Sequence, residues 1–264
     1  MSLTSARPPR YEWLTDQHLR LPDGTFPHLG TTEGDVAPVV LLSGSPERVE
    51  LMAALLDDAE RVGDRRGYAV HTGRVDGVPV TVATSGVGSP SMAIAVEELG
   101  ACGGRTFVRV GSCASLTPAL PVGGVAVCTG AVRDEGTSGA YAPAGFPAVA
   151  SVRVVNALVG AAAAEELPVE VGLTRSTDSF YAGERDEAII DRWSSLGVLA
   201  FEMETSCLCT VAAVRGWEAG SIIVTGSNLV TGNATYRGEG LDAYASGQAA
   251  MLRTAVRAAA ILGA

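Results

Sequence analysis

The sequence predicts a single α/β domain in which a central mixed, twisted β-sheet is flanked by helices. Its 264 residues, 47% of them apolar, suffice for one large core and fall short of two domains of usual size. From position 37 onward, short Val/Ile/Leu runs bounded by glycine alternate with longer segments of helical period, the order that lays helices over a mixed or parallel sheet. Several of those runs end in Gly, Ser, Arg or Glu, at the strand ends where open α/β sheets hold ligands.

Residues 1–35, rich in Pro, Gly and polar side chains with little periodicity, are expected to form an N-terminal arm, and residues 36–264 the domain. The run Val39-Val40-Leu41-Leu42 marks a first strand at 38–42, and Pro46 opens a helix over 46–58. Alternating Val and Thr predict a strand at 78–84, followed by a helix over 90–101 and a strand at 106–110. Further strands are expected at 125–128, 169–176, 198–201 and 221–225, with helices over 152–166, 205–216 and 241–262.

Composition removes several function classes. The net charge of −10 is dispersed, without a basic block, which argues against a nucleic-acid surface and for small-molecule substrates. No apolar run approaches the ~20 residues that span a bilayer, and the first residues lack the pattern of a signal peptide, so a cytoplasmic protein without membrane contact is expected. Cys102, Cys113, Cys128, Cys207 and Cys209 include no CxxC pair and read as reduced, mostly buried thiols. His18, His28 and His71 have no metal-ligand spacing, so no metal is expected. All 19 cationic side chains are arginine. Walker A phosphate binding, Schiff bases and pyridoxal phosphate attachment are thereby excluded, while the planar guanidinium fork remains available to phosphate.

Four segments carry candidate chemistry. Gly44-Ser45-Pro46-Glu47-Arg48 joins a glycine turn to a helix N-terminus, a place for an anion, though a tight turn with a surface arginine would read the same way. Gly86-Val87-Gly88-Ser89-Pro90-Ser91 departs from the dinucleotide fingerprint at Ser91, which argues against a nicotinamide cofactor and leaves a packing role or a substrate contact. Arg109 interrupts a strand suited to burial and needs an anionic partner, either a structural carboxylate or a ligand; Ser112 beside it favours a phosphate pocket. Glu202 and Glu204 would share a face of an extended segment, where one carboxylate can accept from both hydroxyls of a ribose diol or a helix N-terminus can favour the charge.

Taken together with His28-Leu29-Gly30, Ser176-Thr177-Asp178-Ser179-Phe180-Tyr181 and Phe201-Glu202-Met203-Glu204, these segments resemble the hexameric nucleoside phosphorylases, the family of bacterial uridine phosphorylase and bacterial-type purine nucleoside phosphorylase. The resemblance runs from about Phe26 to the final helix. It implies a phosphate site made by the backbone at Gly44 with Arg48, Arg109 and Ser112, joined by Arg66 from a neighbouring subunit. It implies a ribose site at Met203 and Glu204, with His28 crossing to the adjacent subunit's 5′ hydroxyl. Base contacts would fall on Cys113, Ala114, Phe180, Glu184 or Arg185, and Asn228. Sites shared in this way make a dimer the smallest active unit and a hexamer the expected assembly.

The implied reaction is phosphorolysis: inorganic phosphate, the co-substrate, attacks the anomeric carbon without another cofactor, with Arg48, Arg109, Glu204 and Asn228 as the catalytic set. Residues 133–138 and 146–150 resemble the uridine-phosphorylase branch, and uridine is the favoured substrate. Gly183-Glu184-Arg185-Asp186 departs from that branch's base-reading pattern, which leaves a 6-oxopurine nucleoside open. Asn228 stands where the purine enzymes carry an acidic Asp, so adenosine is expected to be a poor substrate. Gly67 stands where the family's interfacial cation site carries a glutamate, which again argues against a required metal. A nucleosidase using water, or a non-catalytic nucleoside-binding protein, are the alternatives; the first would not need three arginines.

Overall fold

The computed structural model describes residues 19–181 and 186–264. In chain order the elements are β1 (Val39–Ser43), α1 (Pro46–Ala53), β2 (Asp57–Arg65), β3 (Tyr68–Val75), β4 (Val78–Thr84), α2 (Ser89–Cys102), β5 (Thr106–Ser115), β6 (Val125–Asp134), β7 (Ala148–Val149), α3 (Val152–Ala164), β8 (Val169–Thr177), α4 (Glu187–Ser195), β9 (Val198–Glu202), α5 (Thr205–Arg215), β10 (Glu218–Asn228) and α6 (Leu241–Gly263). They form the α/β domain with a mixed central sheet that the sequence predicts.

Five strands close on one another. β5 pairs in parallel with β10, β10 antiparallel with β6, β6 and β8 in parallel, β8 and β9 in parallel, and β9 antiparallel with β5 through Ala114 and Phe201. From β5 the sheet continues outward through β1, β4, β3 and β2. Both faces of β1 are buried, and its side chains alternate. Val39 and Leu41 join a cluster with α1, α3 and α6, while Val40 and Leu42 join one with α2 and α5. Phe26 and Leu29, ahead of β1, are fully buried in the second cluster.

Departures from the expected elements have physical reasons. The first helix stops at Ala53 rather than 58, and its predicted last residues open β2. That strand, Asp-Asp-Ala-Glu-Arg-Val-Gly-Asp-Arg, lies at the sheet edge with most side chains in water, so no apolar alternation announces it. Helix α4 escapes prediction because none of its residues is buried. Strands β5, β6 and β10 run several residues beyond their apolar centres, carrying Ser112, Cys113 and Ala114 inside β5 rather than in the loop after it. Among the described residues no helix is long and apolar enough to cross a membrane.

Candidate functional site

A cavity of about 400 Å³ opens where β1, β5, β8, β9 and β10 end, a size usual for small-molecule sites. Arg109 lies at its floor, 6% exposed. Alternate residues of a strand share a face, so Arg109 folds back over Gly111; a Cβ at that glycine would lie 1.9 Å from Arg109 Nη1. The Arg-Val-Gly sequence therefore makes room for the guanidinium. Its Nε and Nη2 donate to Glu204 Oε2 at 3.0 and 2.5 Å, Nε lies 3.5 Å from Glu202 Oε2, and Nη2 reaches the Ser112 carbonyl at 3.4 Å. Nη1 is buried and has no hydrogen-bond partner among the described residues. Burial opposes the charge, but pairing with Glu204 and Glu202 outweighs it and holds the guanidinium pKa above its ordinary value.

The sequence spacing places the two glutamates on one extended segment, but in the structure they do not share one. β9 ends at Glu202, and the chain turns so that Glu204 is the N-cap residue of α5. They meet at Arg109 nonetheless. Glu202 Oε2 accepts from the backbone N–H groups of Glu204 (2.9 Å) and Thr205 (2.8 Å), capping α5, and its Oε1 accepts from the Ser176 hydroxyl. Glu204 Oε1 accepts from Gly88 N at 2.6 Å, which ties the glycine turn before α2 to the same floor. Both glutamates line the cavity, and Glu202 in addition braces the start of α5.

Arg48 enters from α1. Ser45 caps that helix, accepting from Arg48 N at 3.4 Å, and Pro46 occupies its first turn. The guanidinium donates to Ser43 Oγ at 3.2 Å, the Val110 carbonyl at 3.3 Å and Ser112 Oγ at 3.1 Å. All these acceptors are neutral. Burial lowers its pKa and the nearby Arg109 lowers it further, against the raising effect of Tyr244 on α6. Two guanidinium groups thus share one cavity in which the carboxylates are held largely by one of them. Such a site favours an anion.

Gly44, Arg48, Arg109, Ser112, Cys113, Ala114, Phe180, Met203 and Glu204 all line this cavity, as the sequence reading grouped them. Glu184 and Arg185 lie outside the described residues. His28 and Arg66 are not among the lining residues. Arg66 is in the β2–β3 turn, and the turn carrying His28 packs on Arg65, the residue before it, whose Nη1 donates to Thr25 Oγ1 at 3.1 Å.

Asn228 requires a correction. It does not line the cavity, is 1% exposed, and all its amide's bonding capacity is engaged within the fold. Nδ2 donates to the carbonyls of Thr117 (2.9 Å) and Leu120 (3.1 Å), while Oδ1 accepts from Val230 N (3.1 Å) and Thr231 N (2.9 Å). It clasps the loop after β5 to the loop after β10 and presents no free donor to a base. Cys113 is lined up beside Thr225, Sγ to Oγ1 3.7 Å, and burial pushes its thiol up to about 12, so it is a neutral packing group. Sequence reasoning missed Thr177, Leu229, Tyr236 and Tyr244, which complete the walls. Tyr244 comes from the first turns of α6, far along the chain, and nothing local to it signals a site.

Residues 38–262 match the sequence model of the Phosphorylase superfamily. A uridine phosphorylase of Thermococcus kodakarensis is 39% identical over 228 residues, covering 82% of this chain and 82% of the relative. A guanosine phosphorylase of Halorubrum lacusprofundi is 41% identical over 207 residues, 78% of this chain and 85% of the relative. Among solved structures, the crystal structure of uridine phosphorylase from Vibrio fischeri superposes with a TM-score of 0.82 at 33% identity, covering 89% of this chain and 97% of that one.

Proposed function

This chain belongs to the phosphorylase superfamily, and on that premise we propose that it cleaves a nucleoside with inorganic phosphate to give the free base and ribose 1-phosphate. The observation that carries the reading is Arg109 Nη1, a buried donor at the cavity floor without a partner among the described residues, beside the second guanidinium of Arg48. A bound phosphate would satisfy that donor and offset the repulsion between the two cations.

In the proposed mechanism Gly44, Arg48, Arg109 and Ser112 hold phosphate beneath the ribose, while Glu204, with Met203 against the sugar, accepts from the 2′ and 3′ hydroxyls. Phosphate then attacks the anomeric carbon as the bond to the base breaks. Its negative charge stabilises the positive charge that develops on the ribose, and holding both reactants in line supplies much of the acceleration. The base lies against Cys113, Ala114 and Phe180, and no covalent enzyme intermediate is required. Arg66 and His28, neither of which lines its own subunit's cavity, would complete the cavity of a neighbour in a dimer, three of which would make the hexamer.

Uridine is the favoured substrate, supported by the relatives named for it and by the uridine-like residues 133–138 and 146–150. Guanosine is the second reading, favoured by the similarly close guanosine phosphorylase. The purified protein incubated with uridine, guanosine, inosine and adenosine, with and without phosphate, tests both levels by quantifying free base and ribose 1-phosphate. Phosphate-dependent release with the highest kcat/KM on uridine is expected. Equal release in phosphate-free buffer would overturn phosphorolysis, and a preference for guanosine would overturn the choice of base alone.

A further inference from the structure

Glu98 is a buried carboxylate that takes no part in the cavity. It stands on α2, 6% exposed, and its ion-pair partner among the described residues is the ring of His28. Three donors converge on it. The backbone N–H groups of His28 and Leu29 reach Oε2 at 3.2 and 3.0 Å, and His28 Nδ1 lies 2.6 Å from Oε1. Holding the backbone of a turn does not by itself need a charged group, and burying one is costly unless it is paired. The short contact to the ring is where the charge has its effect.

An ionised carboxylate only accepts hydrogen bonds, so the nitrogen facing it must carry the proton. In a neutral imidazole the other nitrogen, Nε2, is then an acceptor. The ring's fractional exposure is 27%, which leaves an edge open to a partner. The turn beneath it is pinned from the other side as well, since Arg65 Nη1 reaches Thr25 Oγ1 and the Phe26 carbonyl, and Gly30 closes the turn with φ of +75°. Rotation of the ring would break the Glu98 contact.

We propose that Glu98 is the positioning residue for His28, fixing its Nε2 as an acceptor that selects nucleosides whose 5′ group can donate a hydrogen bond. The inference rests on the reading that His28 enters a neighbouring subunit's cavity. It adds a chemical consequence: a 5′ hydroxyl is recognised, while a 5′-deoxy or 5′-thioether nucleoside forfeits the contact.

The test compares KM for a nucleoside and its 5′-deoxy analogue in the wild-type assembly, His28→Ala, Glu98→Gln and the double variant. Glu98→Gln keeps the shape but lets an amide N–H face Nδ1, which reverses the ring's donor and acceptor sides. The wild type should favour the 5′ hydroxyl by about tenfold in KM, as for one well-placed hydrogen bond. Both single variants should lose that preference, and the double variant should lose no more than His28→Ala. If His28→Ala loses the preference but Glu98→Gln retains it, the role of Glu98 is overturned and the shared site stands. If His28→Ala retains it, the shared-site reading falls and this inference with it. Equal losses on both substrates in Glu98→Gln would make Glu98 a fold residue only. Should Glu98→Gln fail to assemble, Glu98→Asp, which withdraws the carboxylate by one methylene, is held to the same outcomes.

Discussion

The cavity floor and the His28 turn use the same device, a nitrogen-bearing planar group held by a buried glutamate, yet they leave opposite ends unsatisfied. At the floor, Glu204 and Glu202 hold Nε and Nη2 of Arg109, and Nη1 is buried without a partner among the described residues. At the turn, Glu98 holds Nδ1 of His28 and the remaining edge of the ring meets solvent. A buried unsatisfied donor costs free energy until a ligand arrives, whereas an exposed nitrogen is satisfied by water in the meantime. On the proposed reading, a phosphate answers the first and a neighbouring subunit's nucleoside the second.

The largest effect should follow from breaking the floor. Arg109→Ala leaves Glu202 and Glu204 buried without their main cation, so a stability loss of about 3–5 kcal/mol is expected along with a fall of kcat/KM for phosphate on the order of a hundredfold or more. Chemical denaturation and phosphate kinetics read the two losses separately; retained phosphate affinity would assign Arg109 to structure alone. Glu204→Gln keeps its size and loses the charge, and should lower kcat/KM on a riboside roughly tenfold more than on the 2′-deoxyriboside, because only the first presents both hydroxyls. Equal losses would remove the diol contact from the floor.

Asn228 belongs to neither region, and its substitution tests that placement. An Asn228 at the base would let Asn228→Asp raise adenosine cleavage relative to uridine. With the amide turned toward two carbonyls instead, the aspartate loses both donors and should destabilise the fold by about 2 kcal/mol without moving the substrate ratio. A shift in the ratio would put the side chain back in contact with the base. The smallest signal comes from mixing His28→Ala subunits with Arg48→Ala subunits at low nucleoside concentration. If sites are shared between two chains, each mixed dimer regains one intact site of two, and activity should rise toward roughly a quarter of wild type. No rise in demonstrated mixed dimers would confine His28 to its own subunit.

What could be read in the sequence was local. Gly44 to Arg48 announces a helix N-terminus, Arg109 an out-of-place charge in an apolar strand, and Glu204 a carboxylate at a strand end; each carries its physical oddity within a few residues. The fold class was legible for the same reason, through β1 and β4, whose apolar runs are complete in themselves. Tyr244, by contrast, reaches the cavity only because α6 packs back across the sheet, and β2 is a strand only because β3 lies beside it. Asn228 shows a subtler limit. The direction of its side chain depends on the carbonyls of Thr117 and Leu120, which reach it from another loop. Likewise, the sequence shows Glu98 as one more polar residue of a helix, and only the packing of the 26–30 turn gives it a partner.

Strand β2 has a consequence for how such molecules can associate. It ends the outward arm of the sheet, with its second backbone edge unpaired among the described strands, and Asp57, Asp58, Glu60, Arg61, Asp64 and Arg65 fill six of its nine positions. A bare strand edge is a template onto which another chain can add, the route to fibrils and runaway polymers. Crowding that edge with charge of both signs makes strand addition unfavourable, and the closed ring of β5, β10, β6, β8 and β9 withholds most of the remaining edges. Any meeting between copies of this chain is thereby steered away from strand addition and toward contacts made by side chains and turns.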